Sequence, residues 1–365
     1  MDDVTKRLLN TLDKRKEKQN FRELKDYSNY IDFLSNDYLG LAKASLLDFQ
    51  VQRTQGGSSR LISGTTSFHL KLEDFLAKFF KSEAALIFNS GYDANIGLLS
   101  SVPKKGDVVL YDEFSHASIK DGLQLSHAKR LKFKHNNISD LSRLLDKYSD
   151  HTVFIVVEGL YSMDGDFAPL KEIDHLAQKY NAYLILDEAH SAGIIGQNGT
   201  GLSNYTNINT PFARIVTFGK AFGAHGACVL SSQITKNYLI NFARSFIYTS
   251  ALPPSMIQKI HTVFVKSNFD ILQKKLLFNI ELFRSHVPKH CLKSDPASPI
   301  QIIDSIKLEK LLNLEKLLLE KGFGVKAILA PTVKEGSERL RVSIHATNKA
   351  DDLKALGTLI ATNVS

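Results

Sequence analysis

The chain has 365 residues, 43% of them hydrophobic and 23% charged, a composition that excludes a disordered or fibrous protein. Its longest apolar runs, such as residues 153–157, are strand-sized and too short to cross a membrane. The net charge of +8 is spread along the chain rather than gathered in one basic patch, so nucleic acid is not a favoured partner.

The first thirty residues predict a helix. Val4, Leu8 and Leu12 recur at helical spacing, and we predict a basic amphipathic helix over residues 1–30. The basic run at residues 14–18 is interpreted as the solvated face of this helix, with a polyanion contact as the alternative. The chain opens with acidic residues and without the apolar region of a targeting peptide, which predicts a cytoplasmic protein.

Strands and helices then alternate along the chain. Short apolar segments bounded by glycine, proline or charges predict strands at residues 31–40 (a strand with a turn), 84–88, 107–111, 152–158, 183–187, 214–218 and 227–230. Helical periodicity predicts helices at residues 71–80, 94–100, 141–147 and 170–180. This alternation indicates an α/β protein with a mostly parallel central sheet and helices on both faces.

After residue 254 the sequence changes to long helices rich in leucine and lysine, with short strands near residues 300–303 and 339–344. We therefore predict an N-terminal helix and strand segment over residues 1–45 and a large domain over residues 46–254. A smaller C-terminal α+β domain is predicted over residues 255–365.

An acid and a histidine lie at the carboxyl end of the predicted strand at residues 183–187. Asp187 ends this strand and His190 lies three residues further on. In open α/β sheets, ligands bind at the carboxyl ends of the strands, so both side chains are candidates for a binding site. A metal site is one alternative, although no further ligand occurs nearby at suitable spacing. A core histidine beside a surface acid is the other.

A lysine among small residues follows the next predicted strand. Lys220 follows the apolar segment at residues 214–218, and its surroundings do not match a phosphate-binding Walker A loop. A semi-buried amine at this place suits Schiff-base chemistry. A Schiff-base lysine together with an acid such as Asp187, which keeps a pyridine nitrogen protonated, is what pyridoxal 5'-phosphate (PLP) requires.

A glycine turn provides a candidate phosphate site. Ser90, Gly91 and Tyr92 lie between the strand at residues 84–88 and the helix at residues 94–100, so backbone amides at the helix N-terminus can receive a phosphate. A plain strand-to-helix turn is the alternative interpretation.

Five motifs together resemble the α-oxoamine synthases, which are PLP enzymes of fold type I that condense an amino acid with an acyl thioester and release carbon dioxide. The motifs are IFNSGYDAN at 87–95, SHAS at 115–118, EGLYSMDGD at 158–166, DEAHSAG at 187–193 and TFGK at 217–220. The resemblance extends from Asn36 to Arg341 and implies a fold type I transferase whose large domain binds PLP.

The resemblance also implies residue roles, here carried over position by position. Lys220 is expected to be the Schiff-base lysine, Asp187 the partner of the pyridine nitrogen, His190 a neighbour of the phenolic oxygen, and His116 the residue stacked on the ring; a surface histidine is the alternative for His116. The remaining expected cofactor contacts are Ser90, Gly91, Tyr92, Ser162, Thr217 and, across a dimer interface, Thr249 or Ser250.

Two residues are expected to bind the amino-acid substrate. Arg339 and Arg341 occur at strand spacing and share a face, so spacing cannot separate them, and the resemblance favours Arg341 as the carboxylate ligand. Asn36 matches a substrate contact of the family, with a turn former as the alternative. The glycine-rich segment at residues 56–66 resembles a segment near the thioester entrance, with a flexible surface loop as the alternative.

Members of the family differ in substrate. The sequence most resembles members that condense L-alanine with pimeloyl-CoA or a pimeloyl carrier protein. Members that join glycine to acetyl-CoA or serine to palmitoyl-CoA are the alternatives, and a homodimer with the active site at its interface is expected. An aminotransferase or a non-catalytic PLP-binding protein is the alternative from a different class. No metal site is expected.

Overall fold

The computed structural model describes residues 2–42, 57–208, 211–304 and 306–364. Its strands are β1 (Ile31–Asp32), β2 (Ala84–Phe88), β3 (Val108–Asp112), β4 (Lys129–Phe133), β5 (Val153–Glu158), β6 (Tyr183–Asp187), β7 (Ala213–Thr217), β8 (Ala227–Ser231), β9 (Ile300–Ile303), β10 (Phe323–Gly324), β11 (Lys326–Ile328) and β12 (Arg339–Ser343).

The helices lie before, between and after these strands. They are α1 (Asp3–Glu17), α2 (Ser67–Phe79), α3 (Gly91–Ser101), α4 (Ala117–Leu125), α5 (Ile138–Lys147), α6 (Leu170–Lys179), α7 (Leu202–Thr206), α8 (Gln233–Phe242), α9 (Arg244–Ile247), α10 (Pro254–Lys266), α11 (Phe269–Ser285), α12 (Leu308–Glu320) and α13 (Ala350–Val364). Across the described ranges, no helix combines the length and apolar character needed to cross a bilayer.

The central sheet has seven strands in the order β2-β8-β7-β6-β5-β3-β4, and β8 runs in the opposite direction to the other six. Alternate side chains of β5 face opposite layers: Ile155 and Val157 pack in the layer that includes α5 and α6, whereas Phe154 and Val156 pack in the layer that includes α3 and α4. The sheet is therefore covered on both faces, which confirms the predicted α/β architecture.

Three strands, β4, β10 and β11, were not predicted. β4 carries three basic residues in five, and Lys129, Arg130 and Lys132 are exposed at the edge of the sheet. Because an edge strand needs only one neighbour, charged side chains can stay in water while the backbone pairs with β3. Because β4 is rich in charged residues, apolar runs in the sequence do not predict it.

The N-terminal helix is shorter than predicted. α1 ends at Glu17, and Gln19 adopts a left-handed backbone with φ of 54°, so the predicted helix over residues 1–30 was wrong in its C-terminal half. No residue of α1 is buried, and the basic run at residues 14–18 is exposed except for the half-buried Arg15.

The C-terminal part contains a three-stranded antiparallel sheet in the order β11-β12-β9, packed with α11, α12 and α13. The N-terminal segment joins this part because β1 pairs in parallel with β10. The amide of Ser343 also donates to the Phe33 carbonyl, and that of Ala346 donates to the Tyr38 carbonyl. Residue 45, where the first predicted domain ends, lies outside the described residues, and the three-part division remains a prediction.

Candidate active site

The candidate site lies where neighbouring parallel strands of the central sheet end. Glu158 at the end of β5 is the register partner of Asp187 at the end of β6, and Asp187 is in turn the partner of Ile215 in β7. Lys220 follows β7 by three residues. The carboxyl ends of these strands thus bring the predicted acid and lysine to one edge of the sheet.

Asp187 is buried and held from two sides. The Asn95 side-chain amide in α3 donates to one carboxylate oxygen over 2.7 Å, and the Ala189 amide donates to the other over 2.9 Å. These donors fix the plane of the carboxylate, which leaves it able to accept a further hydrogen bond from a cationic ring nitrogen.

Lys220 and His190 form a close pair. The Lys220 Nζ atom lies 2.7 Å from Nε2 of His190. Desolvation, with a smaller effect from the Arg341 charge, lowers the pKa of the Lys220 amine to about 8, although Asp187 and Glu158 oppose this shift. A lysine with this pKa has a substantial neutral fraction near neutral pH, which both imine formation and proton abstraction require.

A chain of hydrogen bonds connects this pair to Arg341. Nδ1 of His190 lies 2.8 Å from the Tyr38 hydroxyl, which donates to the Asn36 side-chain oxygen over 3.0 Å. Arg341 in β12 donates to the same oxygen over 2.8 Å, and its Nε donates to the Ser162 carbonyl. This chain brings Asn36, His190, Lys220 and Arg341 together, and Ser162 participates through its backbone.

Arg339 has a different environment from Arg341. Its guanidinium donates to the Asp164 carboxylate over 2.6 Å and to the Met163 carbonyl over 3.0 Å. Arg341 makes no carboxylate contact among the described residues, so its positive charge is the one left for an anionic ligand.

The glycine turn forms a cradle at the start of α3. A side chain at Gly91 would lie 3.5 Å from the Thr217 side chain, so the first turn of the helix faces the Thr217 hydroxyl closely. The Ser90 hydroxyl caps α3 by accepting from the Asp93 amide, and the Tyr92 hydroxyl donates to Asp121. Helix amides beside a hydroxyl make a suitable place for a phosphate.

Thr249 and Ser250 lie against Asn89 of the same chain. The Asn89 amide donates to the Thr249 hydroxyl over 2.9 Å and to the Ser250 carbonyl over 2.8 Å. Ser59, from the glycine-rich segment, forms an isolated bridge with Ser250. That segment contains a π-helical turn at Arg60–Gly64, while its first residue, Gly56, lies outside the described residues.

His116 caps α4 at the mouth of the site. Its Nδ1 lies 2.8 Å from the Ser118 hydroxyl, and its amide donates to Glu158 over 2.5 Å. Burial and the repulsion of Asp187 raise the pKa of the Glu158 carboxyl to about 8. The backbone amide of His116 is therefore bonded to an acid that is mostly protonated at neutral pH.

Sequence reasoning missed three residues of this site. Tyr38, Asn95 and Glu158 each bond directly to a predicted site residue. Asn95 lies one helical turn after Gly91, and Glu158 ends an apolar strand as Asp187 does. Their places in the sequence could therefore have identified both as candidate site residues. Tyr38 bonds a residue 152 positions away and carried no local signal.

These residues fit PLP. Asp187 offers an acceptor for a ring nitrogen, Lys220 an amine of lowered pKa, and Gly91 with Thr217 a phosphate cradle. Within the described residues, the Oδ1 atom of Asn95 is buried without a hydrogen-bond partner, so the site retains a polar atom for a ligand.

The chain matches known proteins over most of its length. Residues 28–359 match the family model described as aminotransferase class I and II. An 8-amino-7-oxononanoate synthase from Lysinibacillus sphaericus is 39% identical over 334 residues, which are 89% of this chain and 86% of that protein.

Two solved structures show the same fold. The 8-amino-7-oxononanoate synthase of Francisella tularensis is 31% identical, with a TM-score of 0.77 over 93% of this chain and 98% of that one. The Sphingomonas wittichii serine palmitoyltransferase is 27% identical, with a TM-score of 0.85 over 92% of this chain and 87% of that one. The chain therefore belongs to the aminotransferase class I and II family of PLP-dependent enzymes and, within it, to the α-oxoamine synthases.

Proposed function

We propose that this chain condenses L-alanine with a pimeloyl thioester to form 8-amino-7-oxononanoate, releasing carbon dioxide and the free thiol of coenzyme A or a carrier protein. The observation that carries the proposal is the hydrogen-bond chain from Arg341 to Lys220, because it sets a carboxylate-binding cation within reach of a basic amine. The similarity to 8-amino-7-oxononanoate synthases supports the choice of alanine and the pimeloyl group.

PLP, when bound, supplies an aldehyde for imine formation and a protonated ring that withdraws electrons from the α-carbon of the amino acid. We assign Asp187 to hold the proton on the ring nitrogen, since its carboxylate is buried and fixed in orientation. Lys220 would hold the cofactor through its amine, and once the amino group of alanine has displaced it, the freed amine would accept the α-proton of alanine, for which a pKa of about 8 is suitable.

Arg341 and Asn36 are assigned to the carboxylate of alanine. The guanidinium is buried and offers paired donors, which suits a planar carboxylate better than a lysine ammonium would. A fixed carboxylate orients the α-hydrogen toward Lys220. After condensation, the same carboxylate is lost as carbon dioxide from the β-keto acid.

The remaining assignments concern the cofactor. We assign His116 to the ring face, His190 to the phenolic oxygen, and Ser162 to a polar contact near the ring. The phosphate is assigned to the cradle formed by Ser90, Gly91, Tyr92 and Thr217, and to Thr249 or Ser250 of a second subunit.

The second subunit belongs to a proposed homodimer with the active site at its interface. Exposed aromatic side chains near the site support this proposal, since Tyr92, Phe114 and Tyr248 are 43%, 51% and 71% exposed in a single chain. The cytoplasmic location expected from the sequence stays a prediction.

A thiol-release assay tests the function. The purified enzyme with PLP is given L-alanine, glycine or L-serine, each with pimeloyl-CoA, acetyl-CoA or palmitoyl-CoA, and the thiol and carbon dioxide are measured. We expect both products with L-alanine and pimeloyl-CoA, and a pimeloyl carrier protein in parallel reports the preferred donor. Turnover with glycine and acetyl-CoA or with serine and palmitoyl-CoA instead would reassign the substrate. An oxo acid without carbon dioxide would indicate an aminotransferase.

A further inference from the structure

Tyr38 occupies the centre of the hydrogen-bond chain in the site. Its side chain is fully buried, and its hydroxyl lies between His190 on one side and Asn36 on the other. His190 lies between the Tyr38 hydroxyl and the Lys220 amine, so an effect of Tyr38 on that amine passes through the histidine.

The direction of each bond in this chain is determined. Arg341 can only donate, so the Asn36 atom 2.8 Å from it is the carbonyl oxygen, and the Tyr38 hydroxyl must donate to that oxygen as well. The Tyr38 oxygen is then an acceptor for Nδ1 of His190. The histidine therefore carries its proton on Nδ1 and turns a bare Nε2 toward the Lys220 amine.

The ionisation of these groups agrees with that direction. Burial and the nearby charges of Lys220 and Arg341 hold the pKa of His190 well below its ordinary value, so the ring is neutral. Burial raises the pKa of Tyr38 to about 12, so the hydroxyl keeps its proton. Both groups thus act as neutral dipoles aligned in one direction between Arg341 and Lys220.

We propose that Tyr38 is a positioning residue that communicates the filling of the carboxylate site to the His190–Lys220 pair. The proposal rests on the function proposed above. The Asn36 oxygen is shared between Tyr38 and Arg341, and a substrate carboxylate that binds Arg341 leaves this oxygen to Tyr38 alone. The Tyr38 hydroxyl then donates more strongly and accepts more strongly from Nδ1, which fixes the bare Nε2 beside the amine.

A purely structural role makes a different prediction. If the hydroxyl only satisfied its own burial, its removal would lower stability without changing the proton position on His190. The variant Tyr38→Phe removes the oxygen and keeps the ring. Tyr238→Phe is the matched control, because the Tyr238 hydroxyl donates to the Ser101 carbonyl, outside the site.

The first measurement uses the full-length chain without substrate. Nitrogen-15 NMR of the histidine rings reports the tautomer of His190, whose resonance is assigned by its loss in His190→Gln. We expect the Nδ1-protonated form in the wild type and in Tyr238→Phe, and a shift toward the Nε2-protonated form in Tyr38→Phe. An unchanged tautomer in Tyr38→Phe overturns the proposal. If Tyr38→Phe does not fold, Asn36→Ala breaks the same chain one bond away, and an unchanged tautomer there overturns it equally.

The second measurement tests the positioning role of Tyr38 separately from the proposed function. With PLP bound, Tyr38→Phe should raise the KM for L-alanine about 10-fold, and leave the KM for the thioester and the affinity for PLP within about 2-fold of wild type. An unchanged KM for L-alanine, or an equal rise in both KM values, overturns the proposed positioning role of Tyr38. If the wild type releases no thiol with L-alanine, the proposed function fails instead, while the NMR result still decides the role of Tyr38.

Discussion

The buried ion pair beside the active site gives a sharp stability prediction. Arg214 in β7 donates twice to the Glu188 carboxylate, over 2.5 and 3.1 Å, and also to the carbonyls of Phe80 and Thr200. The two side chains are 6% and 0% exposed. Arg214→Met leaves the carboxylate buried without a cation, and we expect a loss of about 3–5 kcal/mol in the free energy of unfolding.

Urea unfolding followed by circular dichroism measures this loss, since the chain contains no tryptophan for fluorescence. The control is Arg143→Met, which breaks an ion pair whose arginine is 63% exposed, and it should change stability by less than about 0.5 kcal/mol. Equal effects in the two variants would refute the reasoning.

Three further predictions concern the reaction. Competitive acylation of the cofactor-free chain, read by mass spectrometry, should show Lys220 half neutral at about pH 8 and about one-tenth neutral at pH 7; a midpoint near the ordinary lysine value of about 10.4 would contradict the environment described. Asp187→Asn should lower kcat by at least about 100-fold, because a neutral amide cannot hold a proton on a ring nitrogen, and wild-type turnover would exclude that role. Arg341→Lys should raise the KM for L-alanine about 10-fold or more with PLP affinity unchanged, and an unchanged KM would assign the carboxylate elsewhere.

The sequence predicted the parts of the molecule that depend on local pattern. β2, β6 and β9 have the predicted bounds, because buried strands are rich in apolar residues; Asp187 at the end of β6 and Gln301 in β9 are the polar residues among them. The acid and the lysine were located by the rule that ligands bind at the carboxyl ends of parallel strands. The edge strand β4 was not predicted because its charged side chains can stay in water, so it lacks the apolar run that identifies the buried strands.

The rest depended on contacts between distant segments. Arg339 and Arg341 lie two residues apart and share a face of their strand, so the sequence does not distinguish them. Only the ion pair of Arg339 with Asp164 shows that one charge is neutralised and the other is not. The role of Tyr38 likewise becomes visible only from its contacts with His190 and Asn36. Such roles arise from pairings across the sheet, which no short window of sequence contains.

The pairing of β1 with β10 has a consequence for how the protein is made. The segment that carries Asn36 and Tyr38 leaves the ribosome early, but its partners in β10 and β12 are synthesised about 300 residues later, which takes roughly 15–60 s at common rates of translation. The central sheet, from β2 to β8, is complete well before then. A nascent chain can therefore form the edge that holds Asp187 and Lys220 while its amino-acid site is still in two separate pieces, and binding of alanine becomes competent only at the end of synthesis.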